Sequence, residues 1–94
     1  GLHASPEDNG DNPLMAVPPG ARQEYSIKLG KANGPGVAPH PPGTHWYHSH
    51  KHGGAAVQIG SGMAGALIVE GGLDEVTEIK AARERVMVFQ QIPY

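Results

Sequence analysis

At 94 residues the chain is one domain at most, and a core that small leans on a metal, a disulfide or a partner subunit. There is no Cys, which excludes disulfides and is compatible with either redox compartment. The net charge of -2 is mixed, with no basic run and no apolar stretch long enough for a bilayer, so neither nucleic acid nor membrane is expected as a partner.

Aromatic residues are few: Tyr25, Trp46, Tyr47, Phe89 and Tyr94. The core must rest on Val, Ile, Leu, Met and Ala, which makes contacts in a homo-oligomer expected. Residues 1–20 are punctuated by turn formers, SPEDNGDNP and PPG, and read as a loop with one short extended piece near Leu14 to Val17. Arg22 to Leu29 (RQEYSIKL) alternates, with Tyr25, Ile27 and Leu29 on one face, and reads as a strand. Residues 30–43 are a Gly/Pro-rich loop. Thr44 to His50 follows PPG, is rich in β-branched and aromatic types, and reads as a strand.

His52 to Gly62 is Gly-rich, with AAVQI able to form a helical turn. Met63 to Glu70 (MAGALIVE) reads as a buried strand. Asp74 to Ala82 reads as a short helix with Asp74 and Glu75 at its start, where the helix dipole favours acids. Arg85 to Ile92 (RVMVFQQI) reads as a last strand, ended by Pro93. Four or five strands joined by Gly/Pro-rich connections predict an all-β sandwich or barrel, forming a single domain over residues 1–94.

The chemistry concentrates in THWYHSHKHGG, residues 44–54, which holds four of the six histidines. On a strand His48, His50 and His52 share a face with Trp46, and His45 and Tyr47 point the other way. Imidazoles at i and i+2 can converge on one metal ion or on two adjacent ions, and they suit copper or zinc. Spacing alone leaves metal binding at His48 and His50 balanced against solvated side chains. His52 precedes a GG that can break the strand. His45 reads as packing or exposed, and His40, in a Pro-rich loop, as structural or solvent-facing. His3 is a further metal candidate: were Gly1 a free amino terminus, Gly-Leu-His would offer amine, amide and imidazole nitrogens. Glu7, Asp8 and Asp11 fall where turns expect acids for backbone reasons. Glu70 ends an apolar strand and faces solvent. No nucleophile motif, P-loop or dinucleotide fingerprint is present.

PPGTHWYHSHKHG followed by GMAGALIVEG resembles the multicopper oxidase, laccase-like family, in the later half of its first cupredoxin domain. Thr44, Trp46, Tyr47, His48, His50, Gly62, Gly65, Leu67, Ile68 and Val69 match its pattern. Pro19, Gly20 and Tyr25 follow in the expected order, and VMVFQQI looks like the strand that closes that domain. The resemblance implies a Greek-key cupredoxin fold, here partial, and the exposed strand edges of such a part are expected to be completed by oligomerisation. It implies copper as cofactor and a periplasmic or secreted setting. It also implies that His48 and His50 each bind one ion of the type 3 pair in the trinuclear O2-reducing centre, and it gives no copper role to His3, His45 or His52.

Measured against the family pattern, the chain starts at the Gly of an earlier H-x-H-G strand, and the Cys of a type 1 site is absent. The expectation is therefore a copper-binding fragment that is not a complete oxidase on its own. Two alternatives stand beside it. One is a Zn-dependent hydrolase of activated esters or phosphoesters, its His site rebuilt from His48, His50 and His3 in a homo-oligomer and acting on a small-molecule substrate. The other is a non-catalytic structural remnant.

Overall fold

The computed structural model describes residue 4, residues 10–29 and residues 39–92. Strand β1 spans Gly43–His48, helix α1 spans Ala55–Gly60 and strand β2 spans Ala64–Val69. A 3-10 turn at Gly72–Glu75 and a one-turn helix, α2, at Thr77–Lys80 follow. None of the helices among the described residues is long and apolar enough to cross a membrane.

β1 and β2 pair antiparallel, from Gly43 opposite Val69 to His48 opposite Ala64. Residues directly opposite share a face, so Thr44/Ile68, Trp46/Ala66 and His48/Ala64 line one side of the sheet and His45/Leu67 and Tyr47/Gly65 the other. Small residues oppose the rings of Trp46, Tyr47 and His48. Ala66 and Ala64 leave room for the Trp46 and His48 rings, which stack 4.0 Å apart between centroids. Opposite Tyr47 stands a glycine, and a Cβ on Gly65 would fall on the Tyr47 ring, 2.6 Å from Cε1, so any larger residue requires the ring to move.

The β1–β2 connection is held by its own backbone bonds. The Gly54 and Ala55 N–H groups donate to the Lys51 carbonyl at 3.0 and 2.9 Å and start α1. At the other end Gly62 adopts φ +97°. Its N–H donates to Ile59 O at 2.9 Å, and the Met63 N–H donates to Gln58 O at 3.0 Å. That is a Schellman stop, in which a glycine past the helix lets the last carbonyls be satisfied. It delivers the chain into β2 one residue later.

Three expectations need correction. Arg22 to Leu29 forms no strand, and neither does Arg85 to Ile92. Alternating apolar residues make a segment able to pair, but a strand exists only where a neighbour supplies the ladder, and none does among the described residues. The second segment is held instead through a side chain, Gln90 Nε2 donating to Ile59 O at 3.0 Å. The helix read over Asp74 to Ala82 is split, because Val76 is extended at φ -70°, ψ 126°. Asp74 turns back to accept the Gly71 N–H at 3.0 Å, so its carboxylate serves the 3-10 turn and not the start of α2.

β2 is half-buried where full burial was expected. Val69 is the one buried apolar side chain among the described residues. Trp46, Tyr47, Met63 and the whole Val86–Phe89 stretch remain exposed. The sheet among the described residues consists of these two paired strands.

Candidate metal centre

His48 is the last residue of β1, and His50 lies two residues on, where the chain leaves the sheet. The parity read from the sequence holds: Trp46 stacks on His48, and the His48 and His50 ring centroids are 6.1 Å apart at an interplanar angle of 67°. His45 points the other way. It meets His40 edge-on, with centroids 4.2 Å apart. His40 Nδ1 and His45 Nε2 both lie 3.2 Å from the Pro41 carbonyl oxygen, and His40 is buried. These two rings pack the Pro41 corner and do not join the His48–His50 pair.

Both rings of the pair are oriented through Nδ1. His48 Nδ1 lies 3.0 Å from the Ser49 carbonyl oxygen. His50 Nδ1 lies 2.8 Å from each carboxylate oxygen of Asp11. A carbonyl and a carboxylate only accept hydrogen bonds, so each Nδ1 carries a proton and donates, and in the neutral form of each ring the lone pair is on Nε2. This is how metal-binding histidines are ordinarily held, one ring nitrogen tied to an oxygen acceptor and the other left to the metal.

Asp11 is the residue that sequence reasoning missed, having been assigned to turn formation. It sits beside His50 because residues 11–13 run along the histidine segment, and the His52 N–H donates to the Pro13 carbonyl at 2.7 Å. Apart from the excess of acids in SPEDNGDNP, no sequence signal marks it. The His52 side chain is exposed and joins no ring contact of the pair. His3 lies outside the described residues. Among the described residues, no three His, Asp or Glu side chains converge where they could hold one ion.

A family model described as "Multicopper oxidase" matches residues 1–73. The chain belongs to the multicopper oxidase family. No solved structure matches the chain. The match takes in the whole histidine segment and both strands, and stops short of Arg85 to Ile92, so the likeness of VMVFQQI to a closing strand stays outside it.

Copper is the cofactor of this family, and the donor set present here fits it. Imidazole in its neutral form is a borderline donor of the kind copper prefers, and two such rings stand at positions 48 and 50 with Nδ1 of each tied to an oxygen. They supply only part of a coordination sphere, since a copper ion needs more donors than one or two nitrogens.

Proposed function

We propose that this multicopper oxidase chain binds copper through Nε2 of His48 and Nε2 of His50, each serving one ion of a type 3 pair. The observation that carries the reading is the matched Nδ1 anchoring of the two rings, to Ser49 O and to Asp11. Bound there, copper would supply redox chemistry toward O2. The chain's own part is to hold two imidazoles in one tautomer and to keep Trp46 stacked against the first of them.

These 94 residues contain no Cys, so the thiolate of a type 1 site is not among them. In this reading the chain alone binds copper without completing an oxidase cycle. The remaining nitrogen donors come from a second copy of the chain, a role favoured by the uncovered apolar surface around the sheet.

The test is elemental analysis on protein of known oligomeric mass, with His48→Ala/His50→Ala alongside. Copper at about one ion or more per two chains, lost in the double variant, is the expected result. Equal copper in both proteins, or none in either, overturns the proposal.

A further inference from the structure

Ser49 lies between the two histidines, and its carbonyl and hydroxyl oxygens make three contacts. Its carbonyl oxygen accepts the His48 Nδ1–H at 3.0 Å. Its hydroxyl donates to Oε1 of Gln58, a residue of α1. The same hydroxyl oxygen receives the Lys51 N–H at 3.4 Å. The peptide that orients His48 is therefore fastened to α1 by one side-chain hydrogen bond.

Gln58 is itself fixed from both ends. Its N–H donates to Gly54 O at 3.1 Å, and its carbonyl receives the Met63 N–H at 3.0 Å in the Schellman stop. Met63 leads directly into Ala64, which pairs with His48 across the sheet. The contacts close a ring: from His48 to Ser49, through the side chains to Gln58, along the backbone bond to Met63 and Ala64, and across the ladder back to His48. Two links use side chains, His48 Nδ1 to the Ser49 carbonyl and Ser49 Oγ to Gln58 Oε1, and the rest are made by backbone groups. The hold of α1 on the Ser49 peptide therefore depends on the Ser49 and Gln58 side chains.

Resting on the copper reading above, we propose that Gln58 is a positioning residue for His48, acting through Ser49. By fixing the Ser49 peptide it holds the carbonyl where the His48 Nδ1–H donates, and so keeps Nε2 as the metal-facing nitrogen. Other neighbours do not duplicate this. Trp46 sets the plane of the His48 ring but cannot choose between its nitrogens, and Asp11 acts on His50. A residue that served only to hold α1 on the sheet would affect stability and leave the His48 tautomer alone.

The test uses the full chain with Gln58→Leu, Gln58→Glu, Ser49→Ala and the Ser49→Ala/Gln58→Leu pair. Two quantities are read: the His48 tautomer, from imidazole 15N shifts in metal-free protein, and the affinity for Cu(II) alone. Gln58→Leu and Ser49→Ala are each expected to mix the two neutral tautomers of His48 and to weaken copper binding about 10- to 100-fold. Gln58→Glu, which keeps an acceptor for the Ser49 hydroxyl, is expected to restore both. The double variant is expected to be no worse than either single one, because both changes cut one contact.

Unchanged tautomer and unchanged affinity in Gln58→Leu overturn the inference. If that variant does not fold, Ser49→Ala decides by the same readouts. The metal-free 15N measurement also separates this inference from the copper reading: a parent chain that shows the ordered tautomer but binds no copper refutes only the latter.

Discussion

Asp11 and His50 stand 39 positions apart and meet with both carboxylate oxygens 2.8 Å from Nδ1. The pair is open to water, the two side chains being 58% and 42% exposed for His50 and Asp11. An ion pair this exposed contributes little to folding, because water and salt screen it. What it supplies is orientation: an acceptor on one side of the ring leaves the other nitrogen for the proposed copper ion. Removing it should cost copper affinity and leave stability nearly unchanged. Asp11→Ala is expected to weaken Cu(II) binding about 10- to 100-fold, with a thermal midpoint close to that of the parent. Asp11→Asn retains an amide oxygen that accepts from Nδ1–H, so it should lose less. Titration calorimetry on the three proteins checks the order. Equal affinity in all three would remove Asp11 from the site.

His45 offers the opposite prediction. It sits in the same strand as His48, yet register puts its side chain on the other face, against His40 and the Pro41 carbonyl. His45→Gln is expected to leave copper stoichiometry and affinity as they are, whereas His48→Gln lowers both. Loss of copper in His45→Gln would mean that the histidine cluster acts as one site and that strand parity does not sort it.

How much of this could be read from the sequence follows from how far apart the interacting residues lie. β1, α1 and β2 were legible because their causes are local: a β-branched and aromatic run after PPG, a short AAVQI helix, and an apolar run between glycines. His48 and His50 were legible for the same reason, since alternation is a property of neighbours. Arg22 to Leu29 has equally good alternation and makes no strand, because a ladder depends on a partner elsewhere in the fold. Asp11 escaped for that reason too: turn chemistry accounts for an acid in DNGDNP, and nothing in its surroundings points to a ring 39 positions on. The Ser49–Gln58 contact spans only nine residues, but it depends on how the Gly-rich stretch before α1 turns the helix back over the strand end, which composition does not specify.

Gly65 and Tyr47 give a prediction about packing. They oppose one another in the register, and the Tyr47 ring occupies the space where a Cβ on residue 65 would go. Gly65→Val must drive the ring outward, at about 1–3 kcal/mol for overpacking a fitted site. Because Tyr47 is already 57% exposed, its ring has somewhere to go and the cost should fall at the low end. Tyr47→Ala in the same chain frees that space, so the double variant should be less destabilised than the sum of the two single ones. Urea midpoints for the four proteins measure the coupling. Strict additivity would show that the ring and the glycine do not compete for one space.

The last prediction concerns the uncovered segment at Val86–Phe89. All four side chains are more than half exposed, and Phe89 reaches 88%. Apolar side chains at four successive positions cannot all lie on one side of an extended chain, so both its faces are open. The backbone there makes no backbone–backbone hydrogen bond among the described residues. Unpaired amides and carbonyls flanked by Val, Met, Val and Phe are what another β segment can pair with, and burying Phe89 adds apolar area to that pairing. A second copy of the chain carries the same segment, and the net charge of -2 opposes association only weakly. Sedimentation of the native chain is therefore expected to show a homo-oligomer. Phe89→Asp should shift it toward monomer, raising the dissociation constant about tenfold or more, as loss of a central aromatic contact does. Copper retention should fall with it, since the proposed second set of nitrogen donors leaves with the partner copy. A native chain that is monomeric at high concentration and still binds copper would show that its further donors do not come from another copy of itself.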